Sequence, residues 1–151
     1  MPSIKHLLYI DAPRIEIFNK LTTTDGLRKW WTHHIDGNCD PGSEMIFHFG
    51  PNHHFLMEVS EMWPDRAISW KCNGGIMSWL GTKITYKLDD HHGKTRLRFE
   101  HTNWREADDF YAACTFTWAR YLESLRKYCE TGEGAPYGAV DKERVGGMRA
   151  I

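Results

Sequence analysis

From about Asp108 to Thr131 the chain carries one long amphipathic segment, and it comes last, after a succession of short alternating runs. Phe110, Tyr111, Cys114, Trp118, Tyr121, Leu122, Leu125, Tyr128 and Cys129 recur at three- and four-residue steps, while Arg120, Glu123 and Lys127 fall on the other side. Helices of this kind owe most of their stability to the surface that covers their apolar face. The preceding strands must therefore wrap this helix.

Those strands are legible one by one. Ile4 to Ile10 reads as the first, stopped at Asp11-Ala12-Pro13, with Pro13 suited to the first turn of a helix. Ile15, Phe18 and Leu21 mark one face of that short helix, and Thr24 is placed to cap a second from Asp25 to Trp31. Asp36 to Gly42, rich in Gly, Asp, Asn and Pro, reads as loop. Five alternating runs follow, with inward sets Met45/Phe47/Phe49, Phe55/Met57/Val59, Ile68/Trp70/Cys72, Thr82/Ile84/Tyr86/Leu88 and Thr95/Leu97/Phe99/His101. Strict one-sided alternation predicts an antiparallel meander with one wet face. The expected architecture is thus α+β: a curved six-stranded antiparallel sheet around the C-terminal helix, with two short helices between strands one and two.

A length of 151 residues suits one domain. Its expected span is 1–134, followed by a flexible, Gly- and charge-rich tail over 135–151. A formal net charge of -1 supplies no field for nucleic acid. The opening MPSIKHLLYI is too short in apolar residues for a signal peptide, and no later run approaches the roughly 20 needed to span a bilayer. Cys39, Cys72, Cys114 and Cys129 show no metal-knuckle spacing and read as reduced thiols, so a cytoplasmic location is expected. Seven Trp are more bulk than a small core needs.

A group of residues taken in order carries a family resemblance. They are Ile10-Asp11-Ala12-Pro13 with Ile17-Phe18 and Leu21, the Trp30-Trp31 pair, Pro41-Gly42 before Phe47, and Ile68-Ser69-Trp70. The stretch Thr95 to Trp104 and the closing Trp118 with Leu122 to Tyr128 and Gly132 complete it. Together they resemble the START-like (SRPBCC) superfamily, and within it proteins similar to the C-terminal domain of the activator of the heat-shock protein 90 ATPase. The resemblance implies a helix-grip fold, often enclosing a cavity for an apolar or amphipathic small molecule. Other branches include lipid carriers and polyketide cyclases, so the fold alone does not decide function. The eukaryotic co-chaperone engages its chaperone through a separate N-terminal domain, and this chain opens at strand one, which weighs against chaperone activation.

The candidate chemistry is sparse. The His33/His34, His53/His54 and His91/His92 pairs cannot each hold one ion easily, because neighbours on a strand face opposite ways. No HxxxH or HExxH motif is present, so neither metal nor cofactor is expected. No nucleophile elbow, phosphate loop or inward carboxylate pair supports an enzyme. His101 shares the inward phase, either as a core histidine or as a group that orients a ligand or acts as base. The expected lining of a pocket between sheet and helix is Trp30, Phe47, Met57, Trp70, Tyr86, His101, Trp104, Phe110, Cys114 and Trp118; a filled core is the equal alternative. The leading expectation is a non-catalytic binder of a hydrophobic small molecule. The alternatives are a chaperone-associated interaction module using the Trp63-Pro64 loop and the tail, or a cyclase-like enzyme. An open sheet edge admits a homodimer.

Overall fold

The computed structural model describes residues 1–138. Strand β1, Ile4–Ile10, leads into helices α1, Arg14–Thr22, and α2, Thr24–Trp30. Strands β2, His34–Gly37, β3, Glu44–His48, β4, His54–Trp63, and β5, Ala67–Gly75, follow. A 3-10 turn at Met77–Trp79 precedes β6, Lys83–His91, and β7, Lys94–Thr102, before helix α3, Asp109–Thr131. These form one seven-stranded sheet in the order β1-β7-β6-β5-β4-β3-β2, with every neighbouring pair antiparallel. This is the helix-grip arrangement.

Local chemistry fixes the ends of α3. The Asp108 carboxylate accepts from the Tyr111 amide at 3.0 Å, and Gly132 closes the helix at φ 88°, a left-handed conformation suited to glycine. Cys114, Trp118, Tyr121, Leu122 and Leu125 are buried, and Arg120 and Lys127 are exposed, so the apolar stripe faces the sheet. Register shifts in β4 against β5, at Leu56/Met57 and Val59/Glu61, add the local twist that bends a sheet around a helix.

The strand count is seven, not six. Residues 34–37, read partly as loop, form the edge strand β2, in which only Ile35 points inward. The cap of α2 is Thr23, whose hydroxyl accepts from the Gly26 amide at 3.0 Å, rather than Thr24. On α1 the buried face is Ile17, Phe18 and Leu21, leaving Ile15 at 64% exposure. The segment after α3, expected to be loose from residue 135, is docked as far as it is described. The Tyr137 amide donates to the Trp31 carbonyl at 2.9 Å, and the Ala135 amide donates to Ser124 Oγ at 2.7 Å. A Cβ at Gly134 would lie 2.4 Å from the Lys29 carbonyl oxygen, so this approach needs glycine. The rest of the expected tail, 139–151, lies outside the described residues. No helix among the described residues is long and apolar enough to cross a membrane.

Candidate functional site

Between sheet and α3 the aromatic residues converge. Trp70 from β5, Trp31 from the end of α2, Trp118 from α3 and Trp79 from the 3-10 turn form a column of indoles. Successive centroids are 5.7, 5.2 and 5.9 Å apart, with interplanar angles of 17°, 23° and 18°. Phe55 of β4 closes one end, 3.8 Å from Trp79. Phe47 and Phe99 flank the column, 4.5 Å from Trp31 and Trp118 respectively. All of these rings are fully buried.

His101 of β7 abuts the column. The Trp118 indole N–H donates to His101 Nδ1 at 3.0 Å, and His101 Nε2 lies 2.8 Å from Thr82 Oγ1. The Thr82 hydroxyl donates to the Trp79 carbonyl at 2.6 Å, so it accepts from the imidazole and fixes the Nε2–H tautomer. Burial drives the His101 pKa down to about 3, keeping it neutral. With both nitrogens engaged and no charge to offer, His101 is a core histidine bonded to side chains. It has no free lone pair with which to act as a base.

The other expected residues divide by whether their polar atoms are answered. The Trp30 indole donates to the Lys20 carbonyl at 3.0 Å. Met57 and Cys114 are buried, and burial pushes the Cys114 thiol up to about 12, away from nucleophilic chemistry. Phe110 is only partly buried, with its ring 6.0 Å from Trp104. By contrast, Trp70 Nε1, Trp104 Nε1 and Tyr86 Oη are buried without a hydrogen-bond partner. Trp31 Nε1, Thr117 Oγ1 and Tyr121 Oη share that condition, whereas the Trp79 indole faces the Cys114 thiol.

Trp31 and Trp79 are central to this interior, and sequence reasoning placed neither among its candidates. Trp31 follows Trp30 directly, and helical spacing alone allots one of the pair to the inner face. The chain leaves α2 at Trp31, which frees its ring to turn inward. Trp79 lies in a stretch that reads as a continuation of β6, and the 3-10 turn breaks that phase. The size of the two residues was the available signal, because large indoles tend to be highly buried.

The family model described as "Activator of Hsp90 ATPase homolog 1-like protein" matches residues 11–130. The solution structure of an Aha1 dimer from Colwellia psychrerythraea is 37% identical, covering 89% of this chain and all of that one, with a TM-score of 0.82. A crystal structure of a Staphylococcus saprophyticus protein is 14% identical, covering 89% of this chain and 96% of that one, at TM-score 0.73. CalU16 from Micromonospora echinospora is 17% identical, covering 95% of this chain and 80% of that one, at TM-score 0.72. The two more distant likenesses speak for the fold alone. No curated protein matches.

Proposed function

The chain belongs to the Activator of Hsp90 ATPase homolog 1-like family, and from that premise and the ring-lined interior we propose that it binds a flat, largely apolar small molecule bearing hydrogen-bond acceptors. One observation carries this reading. The buried indole N–H groups of Trp31, Trp70 and Trp104 have no partner, and Tyr86 and Tyr121 add two unpartnered hydroxyls. A buried donor left unanswered costs about 1–3 kcal/mol, and native interiors hold few of them. Three unpaired indole donors in one aromatic interior favour a guest with acceptor atoms. The rings touch one another, so the guest must displace them to enter, and the binding role rests on the expected lining together with Trp31 and Trp79.

Native mass spectrometry of protein purified from its own cells tests this, with a thermal-shift series of flat aromatics with and without carbonyl groups. A co-purifying small molecule and a shift confined to acceptor-bearing compounds support the reading. Apo spectra with no shift across the series would overturn it. In its favour for a reducing, cytoplasmic setting are four free cysteines.

Self-association is a second reading with its own support. The relative at 37% identity is described as a dimer. Here β1 is an open sheet edge with Leu7 at 55% and Tyr9 at 41% exposure. A chaperone partner has thinner support in the exposed Trp63 at the β4–β5 turn.

A further inference from the structure

The outer face of the sheet carries a histidine row that no part of the aromatic interior uses. In the β2–β3–β4 register His34 stands opposite His48, and His48 opposite His54. The His34 and His48 rings are 4.2 Å apart, and those of His48 and His54 are 6.2 Å apart. Asp36, two residues along β2 and so on the same face as His34, brings Oδ2 to 3.0 Å from His48 Nε2. One donor atom from each of His34, Asp36 and His48 falls within a 4.8 Å envelope. Their neighbours Ile35 and Phe47 point into the core and hold both strands in register.

We propose that His34, Asp36 and His48 form a binding site for a divalent transition-metal ion of the zinc class. Two imidazoles and one carboxylate are the donors such ions prefer, whereas calcium and magnesium require oxygen shells. Ligand bonds of about 2.0–2.2 Å place donors roughly 3.3 Å apart in a tetrahedron. The 3.0 Å His48–Asp36 pair is already close to that spacing, and small rotations at the exposed His34 bring in the third. Three protein ligands leave a coordination position open. A cavity of about 400 Å³, bounded by His34, His48, Gly50, Pro51 and Tyr137, lies beside it with room for water or a small anionic ligand. Bound metal clamps the four-residue edge strand β2 to β3.

Isothermal titration of the tag-free full chain with zinc chloride, and separately with nickel chloride, tests the site. One equivalent of zinc should bind, with affinity falling at least about tenfold in each of His34→Ala, Asp36→Asn and His48→Ala, since even outer partners of metal ligands contribute 10- to 100-fold. The His91→Ala/His92→Ala double variant should bind as the parent does. Amide exchange gives an independent reading, with zinc slowing β2 amides in the parent and not in His48→Ala. Absence of saturable binding by either ion, binding unchanged in His48→Ala, or an equal loss in the His91/His92 variant would each overturn the proposal.

Discussion

Packed against Trp79, Trp104 and Trp118, His101 has no room for a charge. Its ordinary pKa of 6.5 falls to about 3 through burial, so the unfolded chain takes up a proton near pH 6.5 that the folded chain refuses. The stability contributed by neutral His101 is complete above pH 6.5 and is lost as the pH falls from there toward 3. The slope is up to about 1.4 kcal/mol per pH unit. Hydrogen bonds from Lys83, Arg96 and Arg126 hold the Glu61, Asp89 and Glu123 carboxyls below their usual range, on the far side of this transition. Between pH 6.5 and 5, His101→Gln keeps every other titrating group, so its difference from the parent reports this imidazole. Urea unfolding across that interval should show a steeper loss in the parent than in His101→Gln, which cannot titrate; parallel curves would contradict a buried neutral histidine.

Among the elements, those with a strict two-residue period were legible. In β6 and β7 every inward side chain expected from alternation is buried, because one face of each strand is covered and the other is wet. Strand β2 was not, since one inward residue makes no period and its flanking Gly, Asp, Asn and Pro carry loop chemistry. The edge strand β1 closes the sheet on the side opposite β2. Lys5, Leu7 and Tyr9 share its outer face, and Phe116, next to the Thr115 carbonyl that the His6 ring contacts, is 61% exposed. Antiparallel pairing of two copies about Leu7 would set Lys5 beside the partner's Tyr9 and Leu7 beside the partner's Leu7, with no like charges opposed. Sedimentation should therefore find a dimer that Leu7→Lys converts to monomer. A parent that stays monomeric as its concentration rises, or a variant that stays dimeric, would remove β1 as the interface.

At the scale of the whole molecule, what the sequence could not disclose was long-range. The histidine row exists only through the register of three strands, and the indole column joins β5, the end of α2, α3 and the 3-10 turn. Adjacency in the chain, as in His33/His34 and His53/His54, says nothing of which histidines meet; pairing across strands is what gathers His34 and His48. Inward phase, by contrast, was enough to place Trp70, Tyr86 and Trp118 in one interior. Because that interior takes indoles from the end of α2, β5, the 3-10 turn and α3, none of these can detach without exposing them. Of the seven Trp, six are at most 1% exposed, and only Trp63, at 61%, reports solvent already in the native state. Tryptophan fluorescence and far-ultraviolet circular dichroism should thus trace one superimposable urea transition, as expected of a two-state domain. Trp63→Phe should leave the fluorescence midpoint unchanged while narrowing the native emission band. Fluorescence that shifts at lower urea than the dichroism would show the aromatic interior loosening while the sheet persists, and would refute a core that ties helix and strands into one cooperative unit.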